Sequence, residues 1–139
     1  MPVTYSIDAQ GKMIRTTCSG PVKLGEVLDH FKTLEDDPAC TGQLDVLLNV
    51  SETESLPQTT QLGNVIGAVS MVREKVEFRF CAIVASRDAM FGMMRMFEVF
   101  AGRYFRGIQV FREATEAEAW LAAQRAAQDT GHQPDPRGT

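Results

Sequence analysis

Histidine is nearly absent from this chain. His30 and His132 are the whole supply, which leaves a thin inventory for general acid–base chemistry. His30 is expected on the polar side of a helix and His132 in a terminal segment with little to bury, so no shared site is anticipated. Cysteine is scarce too: Cys18, Cys40 and Cys81 are odd in number, widely spaced and outside any CxxC or Cys/His grouping. That spacing argues against a zinc site and against a disulfide framework. Walker, GxGxxG, HExxH and GxSxG motifs are all missing. No apolar run reaches the ~20 residues that cross a bilayer, and Met1-Pro2-Val3-Thr4 has neither the basic start nor the apolar stretch of a signal peptide. Positive charge is in deficit, with 14 Lys and Arg against 18 Asp and Glu and a formal net charge of −4. A chain of this sign gains little from nucleic-acid phosphates or from anionic lipid. The expectations are no catalytic site, no metal or other cofactor, no nucleic acid, no membrane insertion, and residence in a reducing cytoplasm.

What is present reads as one α/β domain over residues 1–128, followed by a mobile tail over 129–139. At 139 residues, 44% of them hydrophobic, the chain is long enough to bury a core without staples. Val3-Thr4-Tyr5-Ser6-Ile7 alternates as a half-buried strand, and Asp8-Ala9-Gln10-Gly11 turns it into a second strand, Met13 to Cys18. Leu24, Val27, Leu28, Phe31 and Leu34 mark one stripe of a helix that ends near Asp37-Pro38. Leu44 to Val50 is a short apolar run, the pattern of a central parallel strand. A polar loop is expected from Ser51, with Ser55 and Gln58 at capping-box spacing ahead of a second helix through Leu62, Val65, Ile66, Val69 and Val72. Phe78 to Ala85 is the clearest strand. A third helix follows from about Ala89 to Tyr104, then a strand Ile108 to Phe111, then a helix carrying Trp120 and Leu121 inward. The order β-β-α-β-α-β-α-β-α predicts a mixed, mostly parallel sheet of about five strands with helices packed on it.

Three groups of residues are candidates for function. Glu35-Asp36-Asp37 is a carboxylate run, read as a solvated helix terminus. Asn49, Ser51, Ser86 and Arg87 should stand near the carboxyl ends of the central strands, where open α/β sheets tend to bind ligands, and are the candidates for a small anionic ligand. In the third helix, Met90, Met93, Met94, Met96, Phe97, Phe100, Ala101, Tyr104 and Phe105 cover about half the circumference and serve as the sheet-packing face. Phe91 and Val99 flank Arg95 at i−4 and i+4 on the side expected to face outward, with Gly102 close by. That stripe of Phe91, Arg95, Val99 and Gly102 is the candidate two-fold interface of a homodimer.

Several stretches carry a resemblance: Cys81-Ala82-Ile83-Val84-Ala85, Gly92 to Glu98, Val110-Phe111-Arg112-Glu113 and Glu118-Ala119-Trp120-Leu121. With the Ser19-Gly20-Pro21 break ahead of the first helix, the chain resembles the SpoIIAA-like family, small bacterial domains related to the STAS fold of anti-sigma-factor antagonists. The resemblance spans residues 3–123 and is most distinctive over 80–121. It implies a mixed α/β sandwich, a bacterial source and no enzymatic activity. STAS antagonists carry an Asp-Ser-Ser-Gly-type motif at the helix after the central strand, where a serine is phosphorylated. Here that region reads Asn49-Val50-Ser51-Glu52-Thr53-Glu54-Ser55, so the phosphoswitch is not carried over. The leading expectation is a non-enzymatic binding or regulatory module acting through protein contacts. The alternative is a carrier of an apolar or amphipathic small molecule between helices and sheet, since the lipid-binding Sec14-type fold is often grouped with STAS-like domains.

Overall fold

The computed structural model describes residues 3–129, with side chains through 127. The predicted tail therefore lies, apart from Asp129, outside the described residues. The elements run β1 (Val3–Asp8), β2 (Met13–Gly20), α1 (Leu24–Asp36), β3 (Gly42–Thr53), α2 (Thr59–Val72), β4 (Val76–Val84), α3 (Asp88–Ala101), a 3-10 turn (Gly102–Tyr104), β5 (Gly107–Phe111) and α4 (Ala114–Asp129). The strands lie in chain order across one five-stranded sheet. Only the β1–β2 hairpin is antiparallel; the other three pairs are parallel.

Strand periodicity of two sorts the core into two faces. Ile14, Leu44, Val50, Phe78, Cys81 and Ile83 face one way and meet α1, α2 and α3. Met13, Leu47, Phe80, Ala82 and Val84 face the other way and meet Ala117 and Leu121 of α4. Trp120 closes that second face, edge-on to Phe80 with ring centroids 6.0 Å apart. Gly107 fits closely there: a Cβ would stand 3.1 Å from the Phe80 ring, which would have to shift by a few tenths of an ångström.

The central strand is longer than its apolar run. The Ser51–Thr53 segment, expected as loop, continues β3, with Glu52 and Thr53 opposite Ser19 and Gly20 beyond a register shift in β2. Thr53 is buried and its hydroxyl donates to the Val50 carbonyl at 2.8 Å. Polar residues persist in the strand because the β2 partner extends equally far. Gln58 and Gln61, not Ser55 and Gln58, form the capping box of α2.

A second register shift, between Leu44 and Val46, leaves Asp45 out of the β3–β4 pairing. Its carboxylate is fully buried. Asp45 Oδ1 accepts from Arg79 Nε at 3.2 Å and from the Phe80 amide at 3.1 Å, and Oδ2 accepts from Arg79 Nη2 at 3.0 Å. Arg125 of α4 adds a second cation, Nε to Oδ2 at 3.3 Å, and donates to the Gly11 carbonyl in the β1–β2 turn. One carboxylate thus joins β3, β4, α4 and the hairpin. Removing its charge strands two guanidinium groups, one of them buried, and this is the costly way to break such a network. Asp45→Asn is expected to lower unfolding free energy by about 3–5 kcal/mol in urea titrations followed by circular dichroism. A loss below about 1 kcal/mol would show that the arginines find water instead.

Candidate functional site

The three-helix face does not close completely. Ile14, Thr16 and Cys18 of β2, Val46 and Leu48 of β3, and Phe78 and Cys81 of β4 form a floor. Val27, His30, Phe31 and Leu34 of α1, Leu62, Val65 and Val69 of α2, Met94 and Phe97 of α3, and Phe105 stand around it. Between them lies a cavity of about 160 Å³. Every lining side chain but Thr16 and His30 is apolar or a thiol. The floor residues alternate along β2 and β3, those of β4 flank its register shift, and the walls recur at helical spacing, so ordinary amphipathic elements build the site.

His30 is the residue that the sequence misplaces. Rather than facing water on α1, it turns into the interior, 5.2 Å ring to ring from Tyr5 and 5.3 Å from Phe31. Its Nε2 is 3.4 Å from the buried Thr16 hydroxyl, a long contact at the weak end of hydrogen bonding. Burial pushes its pKa down to about 4, so the imidazole is neutral at neutral pH. The thiols are held protonated by the same cause: burial pushes Cys18 up to about 11 and Cys81 higher still, and all three cysteines are free. Neither thiol of the cavity is an activated nucleophile.

Two further spaces adjoin the cavity. A recess of about 100 Å³ shares Cys18, Val27, Pro57, Val65 and Met94 and lies under the β3–α2 loop. Ser55 ties that loop down: its Oγ accepts from the Val22 amide at 2.8 Å and donates to the Val22 carbonyl at 3.2 Å. On the other side, a groove of about 460 Å³ runs between β1 and α1, lined by Val3, Thr4, Tyr5, Glu26, Asp29, His30 and Thr33. Val3 and His30 belong to both the inner cavity and this groove. The carboxylate run at the end of α1 is structural. Asp37 Oδ2 accepts from the Tyr5 hydroxyl at 2.6 Å, which lowers the Asp37 pKa and pushes Tyr5 up to about 12. Lys75 covers the Glu35 and Asp37 carbonyls.

Asn49, Ser51, Ser86 and Arg87 do stand along one rim, because Asn49 pairs with Val84 across β3 and β4. They do not converge on the cavity. Asn49 Oδ1 accepts from the Ser51 amide at 2.9 Å, and Ser86 and Arg87 are exposed, Arg87 at the N-cap of α3 without a side-chain cap bond. Of the α3 stripe, Val99 is 76% exposed and Arg95 pairs with Glu98 at 3.2 Å. Phe91 corrects the expectation: it is half-buried against the core, its ring 4.3 Å from the Arg112 guanidinium carbon. Arg112 is itself held by Asp88 Oδ1 at 2.6 Å. A partner arriving from beyond β5 is invisible to the helical wheel. The outward apolar side chains of α3 are Met96, Val99 and Phe100, and Gly102 only begins the 3-10 turn. Among the described residues no three His, Cys, Asp or Glu side chains converge as a metal site, and no helix is long and apolar enough to cross a membrane.

Neutral His30 has a consequence for stability. Its folded pKa of about 4 lies below the ordinary 6.5, so the unfolded chain takes up the proton first as pH falls. Stability is unaffected above 6.5, declines from there towards 4, and levels off below. With allowance for partial solvent contact, the loss attributable to His30 is about 2 kcal/mol. Urea titrations at pH 7.5 and 5 should show a wild-type decline that exceeds that of His30→Gln; equal declines would place the imidazole in water.

Searches of family models and of curated proteins give no match. Among solved structures, the chain is similar to an uncharacterized protein of the DUF3478 family with a SpoIIAA-like fold, from Shewanella loihica PV-4. The TM-score is 0.58 at 15% identity, over 86% of this chain and 91% of that one. At that identity the likeness is one of architecture. The mixed five-stranded sheet, with three helices on one face and a fourth on the other, is a SpoIIAA-like fold.

Proposed function

We propose that this chain is a non-enzymatic binding module that holds a small apolar molecule, or the apolar part of one, between the sheet and helices α1 to α3. The observation that carries the reading is the cavity of about 160 Å³ with an almost wholly apolar lining. Protein interiors are packed like organic crystals. A fully enclosed void of this size costs about 4 kcal/mol at roughly 24 cal/mol per Å³; this space is partly open, so an apolar occupant recovers a part of that. Engineered apolar cavities of about 150 Å³ stay dry and accept benzene, which sets the scale of the occupant. The protonated thiols and neutral imidazole give the lining little reactivity, and unpaired cysteines suit a reducing cytoplasm.

A second reading, contact with another protein or a second copy, is favoured by α3. Met96, Val99 and Phe100 lie at i, i+3 and i+4, exposed to 38%, 76% and 49%. Burying them would remove three large apolar groups from water on each chain.

Toluene is the direct probe of the cavity. At ten times its Kd it should raise unfolding free energy by about 1.4 kcal/mol, and Val65→Phe, which fills the space, should abolish the effect while leaving a folded protein. No stabilisation of the wild type near toluene saturation overturns the cavity reading. For α3, Val99→Glu with Phe100→Glu should convert a dimer to a folded monomer in light scattering; a wild type that is monomeric at tens of micromolar, a concentration chosen for weak association, removes the dimer.

A further inference from the structure

The groove between β1 and α1 says more about the occupant than the cavity does. We infer that the ligand is a small cationic amphiphile, its apolar part in the cavity and its ammonium group in the groove beside Glu26 and Asp29, with His30 and Val3 at the neck between the two. The inference rests on the cavity reading and specifies its ligand class.

The inner space and the outer groove share His30 and Val3. A molecule passing between those two side chains would occupy both. The two spaces differ sharply in chemistry. Inside, Thr16 and His30 are the polar groups. Outside, the charged side chains of the lining are Glu26 and Asp29, and among the described residues no Lys or Arg lines the groove. Glu26 Oε1 accepts from the Lys23 amide at 2.8 Å, a bond that consumes one lone pair and leaves the charge in place. Thr33 spends its hydroxyl on the Asp29 carbonyl, not on the Asp29 carboxylate. The Tyr5 hydroxyl is committed to Asp37, which fixes the ring at the groove.

His30 does not cancel this field, because the half-buried imidazole, its pKa pushed down by desolvation, is neutral at neutral pH. Its contact with Thr16 is long, and opening the neck means turning the ring away from its packing on Tyr5 and Phe31. An anionic head, such as a fatty-acid carboxylate, would meet two like charges in the groove. An ammonium would meet two opposite ones and keep partial contact with water. A neutral alcohol would fall between. Charge complementarity in a groove of this kind sets specificity more than total affinity.

Octylammonium, 1-octanol and octanoate share a tail and differ in the head. Isothermal titration of the wild type with each should rank octylammonium first and octanoate last, at least about tenfold apart. Glu26→Gln with Asp29→Asn keeps the α1 capping box, since Gln serves at that position, and should shrink the ratio to within about threefold. In the wild type alone, raising salt from about 20 mM to about 0.5 M should shrink it in the same direction. Equal binding of the three probes, or a ratio that survives both the double variant and salt, overturns the cationic head and leaves the cavity reading standing. Failure of all three to bind overturns the cavity reading and this inference together.

Discussion

Strands laid down in chain order leave a sheet little choice about where its helices go. From β2 to β5 each parallel connection advances one place in the same direction. Crossovers of one hand then put α1, α2 and α3 on a single face. Three helices must share that face: α1 meets one core cluster, α3 meets another, and α2 contributes to both. The cavity sits where these packings fail to interlock. The opposite face has one helix and no such freedom: Trp120 stands against Phe80 and Phe111, and Leu121 and Ala117 are fully covered. The binding face and the stabilising face are separated by the topology itself.

Periodicity carries the element order and the two core faces, because alternation and helical spacing are local properties of the sequence. Val3 to Ile7, Leu24 to Leu34 and Phe78 to Ala85 each take the structure that their spacing requires. The misreadings have a common physical origin in partners distant along the chain. Asp45 looks like an interruption of an apolar run, and only Arg79 and Arg125 make it an interior residue. His30 looks solvated until Tyr5 and Thr16 are brought over it. Phe91 looks outward until Arg112 lies on its ring. Ser55 has the right spacing to cap a helix and instead bonds Val22, two loops away in space. A cavity has no sequence signature, since it is a shortfall in packing between elements each of which is regular.

The candidate site is therefore legible only in its ingredients. Of the α3 methionines expected on the sheet-packing face, Met94 does line the cavity, where a flexible thioether fits an irregular space. The rim residues were placed by analogy with open α/β sheets, where ligands sit beyond strand ends. Here the apolar space lies beneath the helices, where α1 and α2 pack on each other over the middle of β2 and β3 rather than at their carboxyl ends.

The Asp45 cluster also bears on the order in which the molecule is assembled during synthesis. Every strand pair joins neighbours in the chain, so the sheet and its first three helices can form progressively as the polypeptide leaves the ribosome. Arg125 cannot take part in this. Its carbonyl acceptor at Gly11 is 114 residues away, and closing a loop of that length has to be compensated by contacts made late. Until α4 emerges, Asp45 has Arg79 alone, and the Phe80, Ala82 and Val84 face stays uncovered. A nascent chain stalled before α4 would present an uncovered hydrophobic sheet face with the Asp45 carboxylate on its central strand, and unfinished proteins of this kind are what chaperones and proteases act on.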